Sequence, residues 1–119
     1  MKIFFKIDIE GSEYRIINDI VRYAHRISGI AIEFHDTDHL RLVFCDAVQK
    51  LLKEFHIAHI HGNNASRCAA DGLPDALEIT FVRNSLVPQG SSKQKSLPLS
   101  GLDFPNRQNV EDYVLRFNL

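Results

Sequence analysis

Along residues 1–83 the spacing of apolar side chains switches back and forth between the period of a strand and the period of a helix. That alternation restricts the fold more than any other feature. Strands separated by helices pair in parallel through right-handed crossovers. Ile3, Phe4, Phe5, Ile7 and Ile9 form a run rich in β-branched and aromatic residues, which predicts a first strand buried on both faces. Gly11-Ser12-Glu13 supplies a turn, a helix N-cap candidate and a first-turn acid. Ile16, Ile17, Ile20, Val21, Ala24 and Ile27 recur at helical spacing and predict an amphipathic helix over 12–27, ended by Ser28-Gly29. Ile30 to His35 predicts a second strand. Leu40, Val43, Phe44, Ala47, Val48, Leu51, Leu52 and Phe55 mark a second helix over 37–55, capped by Asp36 or Thr37. His56 to His61 predicts a third strand, broken by Gly62-Asn63-Asn64, and Ala76 to Arg83 a fourth. Only a loop joins the last two strands, so they run antiparallel if they are neighbours. The expectation is an open α/β sheet of four strands, the last one antiparallel, with two main helices.

Residues 84–108 differ in character. They hold three of the four prolines, two glycines and five serines, and predict a long loop. The tail 109–117 is ambiguous: Asn109 could cap a short helix, while Tyr113, Leu115 and Phe117 alternate like a strand. At 119 residues the chain is one domain at most. Four strands and two helices are a thin supply for covering an apolar first strand. The chain therefore reads as a single partial domain over 1–119: the second half of a larger α/β domain, or a protomer that borrows a partner along its first strand, either a second copy or another chain. Lys and Arg number 14 against 15 Asp and Glu, a balance that argues against a nucleic-acid stripe or a polybasic membrane surface. No apolar run approaches the roughly 20 residues of a membrane span. Cys45 and Cys68 make no disulfide framework and point to a reducing, cytoplasmic setting. Cys45 falls on the apolar side of its helix and is expected in the core. His25, His39, Arg15, Arg22 and Arg26 are expected on solvated helix surfaces.

Open α/β sheets bind ligands beyond the carboxyl ends of their parallel strands. Asp8 and Glu10 end the first strand, Glu33 and His35 the second, and His59 and His61 the third, followed by Asn63 and Asn64. A reversed fourth strand brings Asp75 and Glu78 to the same rim. Each residue alone has a plain structural role open to it, such as a hydrogen-bonded histidine or an acid at a helix N-terminus. Glu33 and Glu78, inside apolar strands, are harder to dismiss, because a buried carboxylate is costly unless paired. No G-x-G-x-x-G, P-loop or G-x-S-x-G is present, so a self-contained dinucleotide or S-adenosyl site is not encoded.

Phe5-Lys6-Ile7-Asp8-Ile9-Glu10-Gly11-Ser12-Glu13 resembles the "KIDVEGxE" motif of FkbM-type S-adenosylmethionine-dependent methyltransferases. Ile32-Glu33-Phe34-His35 resembles the next strand of that family. His59 to Asn64 and Leu73 to Thr80 are similar to its C-terminal strand pair, and Leu102 to Asn106 to its closing segment. The resemblance implies the last four strands of a seven-stranded, Rossmann-like class I methyltransferase sheet, with the final strand inserted between the second and third counted here. Glu78 would then lie between His35 and His61, which would be roughly 10 Å apart. The family's cofactor half, with its glycine-rich turn, lies upstream of the matching region. The function implied is the substrate-side half of an O-methyltransferase acting on a small-molecule hydroxyl with S-adenosylmethionine as cofactor. In that frame Asp8 and Glu10 bind cofactor, Asp8, His35 and His61 are catalytic, and Glu33, Asn63, Asn64 and Glu78 bind substrate. A histidine general base is preferred to a divalent metal held by Asp8, His35, His61 and Glu78, and no metal ligand is assigned. A non-catalytic interaction module pairing through the first strand and a small metal-binding protein are the alternatives.

Overall fold

The structure, a computed structural model, describes residues 1–88 and 96–116. Strand β1 (Ile3–Ile7) pairs in parallel with β2 (Ile27–Phe34), and β3 (Phe55–Gly62) and β4 (Leu77–Arg83) complete the sheet. Its order is β1-β2-β4-β3, with β4 antiparallel to both neighbours. The expected four-stranded mixed sheet with a reversed last strand is therefore present, and β4 lies between β2 and β3.

Alternation along the strands divides the sheet into two unlike faces. Ile30, Ile32 and Phe34 of β2 and Leu77, Ile79 and Phe81 of β4 are buried with Ile7, Leu51 and Phe55. Helices α1 (Ile17–Arg22) and α2 (Arg41–Leu51) supply the rest of that core: Ile17 and Ile20 from one, Phe44, Ala47 and Leu51 from the other. Phe44 meets Phe34 edge to face at 5.2 Å. The opposite face carries Lys6, Gly29, Ala31, Glu33, Glu78, Thr80, His59 and His61, paired across the strands in register.

Four expectations are corrected. The helix over 12–27 is three pieces: a 3-10 turn at Glu13–Arg15, α1, and a second 3-10 turn at Ala24–Arg26. Ile16, Ile17, Ile20 and Val21 are β-branched and stiff, no side chain caps α1, and β2 already begins at Ile27. The second helix starts at Arg41 rather than 37, because Thr37 does not cap it. Its hydroxyl donates instead to the Pro74 carbonyl at 2.9 Å and ties two loops together. Cys45 is exposed, one residue off the Phe44–Ala47–Leu51 stripe that faces the sheet. Finally, β1 is not buried on both faces. Ile3, Phe4 and Phe5 are 40%, 56% and 40% exposed, and only Ile7 is buried. Apolar spacing reports residue type, and among the described residues no element pairs with the outer edge of β1.

Within the expected loop, Ser96–Leu97 (β5) pairs with Leu115–Arg116 (β6), which makes the tail a strand there. Phe117 lies outside the described residues. This C-terminal segment packs along β3 on the polar face of the sheet. Its Asp103 and Asp112 bind His59 and His61, each at 2.7 Å. Asn64 holds its backbone through bonds from Nδ2 to the carbonyls of Arg107 and Val110 and a bond from Arg107 N to Oδ1. The tyrosine hydroxyl of Tyr113 donates to the Ser66 carbonyl.

Candidate functional site: a carboxylate and imidazole rim

The register Ile7↔Ile32 of the parallel pair, continued by one residue, sets Asp8 beside Glu33 on the polar face. His35 follows Glu33 on the same face by the period of two. After β1 the chain turns sharply at Glu10 and Gly11, with φ of 53° and 98°. Glycine takes such a φ freely, and a glutamate rarely does. The turn brings Glu10 back over the strand ends.

Glu13 organises what lies there. Its side chain is fully buried, and it accepts from Gly11 N at 2.9 Å, from His35 N at 2.6 Å and from His35 Nδ1 at 3.1 Å. A carboxylate only accepts, so Nδ1 carries the proton of this bond and Nε2 is left as the free nitrogen. The Tyr14 hydroxyl donates to the His35 carbonyl at 2.6 Å. Backbone and ring of His35 are thus both fixed. Nε2 faces Asp8 Oδ1 at 3.7 Å, Glu10 Oε2 at 3.7 Å and Glu33 Oε2 at 3.9 Å. Glu33 is also buried, with Oε1 accepting from Asn63 Nδ2 at 2.9 Å.

Burial pulls the His35 pKa down, but the charges of Glu13, Glu33 and Glu10 outweigh it and leave the imidazole above its ordinary value. Glu33 is pushed up, first by burial and then by the facing Asp8 carboxyl, against the opposing effects of Asn63 and His35. Burial also raises the Tyr14 phenol, with the charges of Glu13, Asp36 and Asp75 adding to it. The rim is a place where one well-held imidazole sits among acids, able to take up a proton or face a cation.

The structure brings together Asp8, Glu10, Glu33, His35 and Asn63 of the residues singled out in the sequence. It does not bring the others there. His61, expected as a base, is bound to Asp112. Asn64 holds the C-terminal segment. Glu78 lies between Glu33 and His61 in register, not between His35 and His61, and its carboxylate is bound by Lys6 reaching across β2. The physical reason is the C-terminal segment: it supplies acids that sequence periodicity could not place, and they take the two histidines of β3. Glu13 was missed as a rim residue. Its signal was present as a third acid close behind Asp8 and Glu10, but it read as a helix-start acid.

These features define an α/β chain with a four-stranded mixed sheet and an acid-rich rim around a fixed imidazole. No family model, no curated protein and no solved structure matches it. Among the described residues no helix is long and apolar enough to cross a membrane.

Proposed function

We propose that this chain is the acceptor-side half of an FkbM-like S-adenosylmethionine-dependent O-methyltransferase, built on the second half of a Rossmann-like class I sheet. The observation that carries it is the strand order β1-β2-β4-β3 with β4 reversed, the order that the motif resemblance implies. The acid and imidazole rim lies beyond the carboxyl ends of β1 and β2, where open α/β sheets take their ligands.

The residues of this chain do not complete a cofactor site. None of its glycines forms a glycine-rich turn, and an open groove lined by Ile3, Phe5, Tyr23, Arg26 and Ile27 lies at the amino ends of β1 and β2, away from the rim. What the chain supplies is the acceptor side. Asp8, Glu33 and Asn63 offer hydrogen bonds to a small-molecule hydroxyl. His35 Nε2 takes its proton, and the Nδ1–Glu13 bond steadies the imidazolium that results. Calorimetry with S-adenosylmethionine tests this on a product extended by the coding sequence upstream of Met1. Binding is expected, with methyl transfer to a hydroxyl lost in His35→Ala; an extended product that binds no cofactor ends the idea.

One observation favours a second reading. The three exposed apolar residues of β1 lie on an edge strand whose outer side no element pairs with among the described residues. That suits an interaction module that pairs through β1. Size-exclusion chromatography with light scattering separates the two, since a monomer that persists at high concentration counts against pairing.

A further inference from the structure

We propose that Asp8, Glu10 and His35, with Glu33 beside them, bind a hard divalent cation of the Mn²⁺ or Mg²⁺ type. One donor atom from each of Asp8, Glu10 and His35 lies within 4.8 Å of the other two. Nε2 of His35 stands 3.7 Å from Asp8 Oδ1 and 3.7 Å from Glu10 Oε2. Those separations are too long for hydrogen bonds. They are close to the roughly 3.0–3.4 Å between ligand atoms that share an ion at bonds of about 2.1 Å. The atoms converge without bonding one another, and rotation of the two exposed carboxylates closes them with Nε2 on an ion.

Two observations outside that trio point the same way. The first is Glu13, which is fully buried and accepts from His35 Nδ1. It fixes the tautomer whose lone pair is on Nε2, and a carboxylate behind the ring is what orients an imidazole for a metal. The second is Glu33, 9% exposed. One of its oxygens is held by Asn63, while the other faces Nε2 at 3.9 Å and the Asp8 carboxyl, and no N–H among the described residues reaches it. Charge completes the case. Asp8, Glu10, Glu13 and Glu33 all lie within 3.9 Å of a single imidazole, and the amino group of Lys6 is occupied by Glu78. A cation between them lowers that repulsion. Oxygen donors in the majority with one imidazole suit Mn²⁺ or Mg²⁺, not a thiolate-seeking metal.

Cation binding by this chain does not depend on the methyltransferase reading. Where both hold, Nε2 serves as a ligand and not as the base, and the cation itself acidifies a bound hydroxyl. The test is a titration of the whole chain with Mn²⁺ at neutral pH, after EDTA treatment and desalting, followed by calorimetry and electron spin echo spectroscopy. One ion per chain is expected, with a nitrogen coupling from imidazole. Binding should weaken at least about tenfold in Asp8→Asn and His35→Ala, and about 10- to 100-fold in Glu13→Gln. His25→Ala, on an exposed surface, should bind as the parent does. Glu10→Gln keeps the question decidable if His35→Ala fails to fold, because the Glu10 side chain is 82% exposed and its loss should still weaken binding several-fold. No binding at millimolar Mn²⁺, no nitrogen coupling, or equal affinity in the parent and Glu10→Gln overturns the proposal. Such a failure leaves the methyltransferase reading standing, because that one is decided by cofactor binding to the extended product.

Discussion

Glu13 and Glu33 are both buried acids, yet they behave differently because their partners differ. Glu13 takes three N–H donors. Its removal leaves the His35 and Gly11 amides without acceptors, so Glu13→Ala should cost about 2–4 kcal/mol in urea denaturation. A loss below about 0.5 kcal/mol would mean that these bonds do not hold the rim. Glu33 has a single amide donor and faces another acid, and its pKa is raised in the folded chain. The folded state therefore keeps this proton more tightly than the unfolded chain. The stability gained is full below the unfolded value, about 4.3, and is lost as pH rises through the folded one. Glu33→Gln mimics the protonated acid and keeps an acceptor for Asn63. In EDTA it should melt higher than the parent at alkaline pH, by a margin that shrinks towards pH 4. A margin independent of pH would refute this. His35, also raised, has the same sign: its contribution is full below about 6.5 and fades as pH climbs through its folded value.

Between elements, two contacts decide the geometry. Gly29 on β2 lies under the Phe4 ring. A Cβ there would come within 2.8 Å of both Phe4 Cε2 and the Phe81 carbonyl oxygen. The ring can move and the backbone of β4 cannot, so Gly29→Ala should destabilise by about 1–3 kcal/mol, and adding Phe4→Ala should restore only part of it. Full recovery in the double variant would show that the ring alone was the obstacle. The second contact joins β3 to the C-terminal segment through Asn64, which bonds the backbone at Arg107 and Val110. Asn64→Ala should raise amide exchange over 96–116 while β2 and β4 keep their protection. Uniform exchange throughout the chain would mean that the segment and the sheet open together.

At the scale of the molecule the two edge strands of the sheet, β1 and β3, differ in what lies against them. β3 is flanked by the C-terminal segment, whereas β1 presents Ile3, Phe4 and Phe5 to solvent. A long apolar edge invites pairing with other chains, and a charge placed on it opposes this. Phe5→Lys should therefore lower concentration-dependent association seen by light scattering. Unchanged association would place the contact elsewhere.

Strand and helix types, their order and the reversal of β4 were legible in the sequence, because side-chain period depends only on local geometry. So was the gathering of Asp8, Glu10, Glu33 and His35, since the parallel pair places consecutive strand ends side by side. The breaks in the first helix were less so, because β-branched residues at Ile16, Ile17, Ile20 and Val21 fit the helical spacing while opposing the helix itself. Three things belonged to the tertiary structure alone. It exposed β1, because burial depends on what lies opposite a residue and not on the residue. It turned Glu13 inward, because the backbone and ring N–H of the distant His35 converge there with the nearby Gly11 amide. It gave His59 and His61 to Asp103 and Asp112, because long-range pairing between acids and imidazoles has no period along a chain.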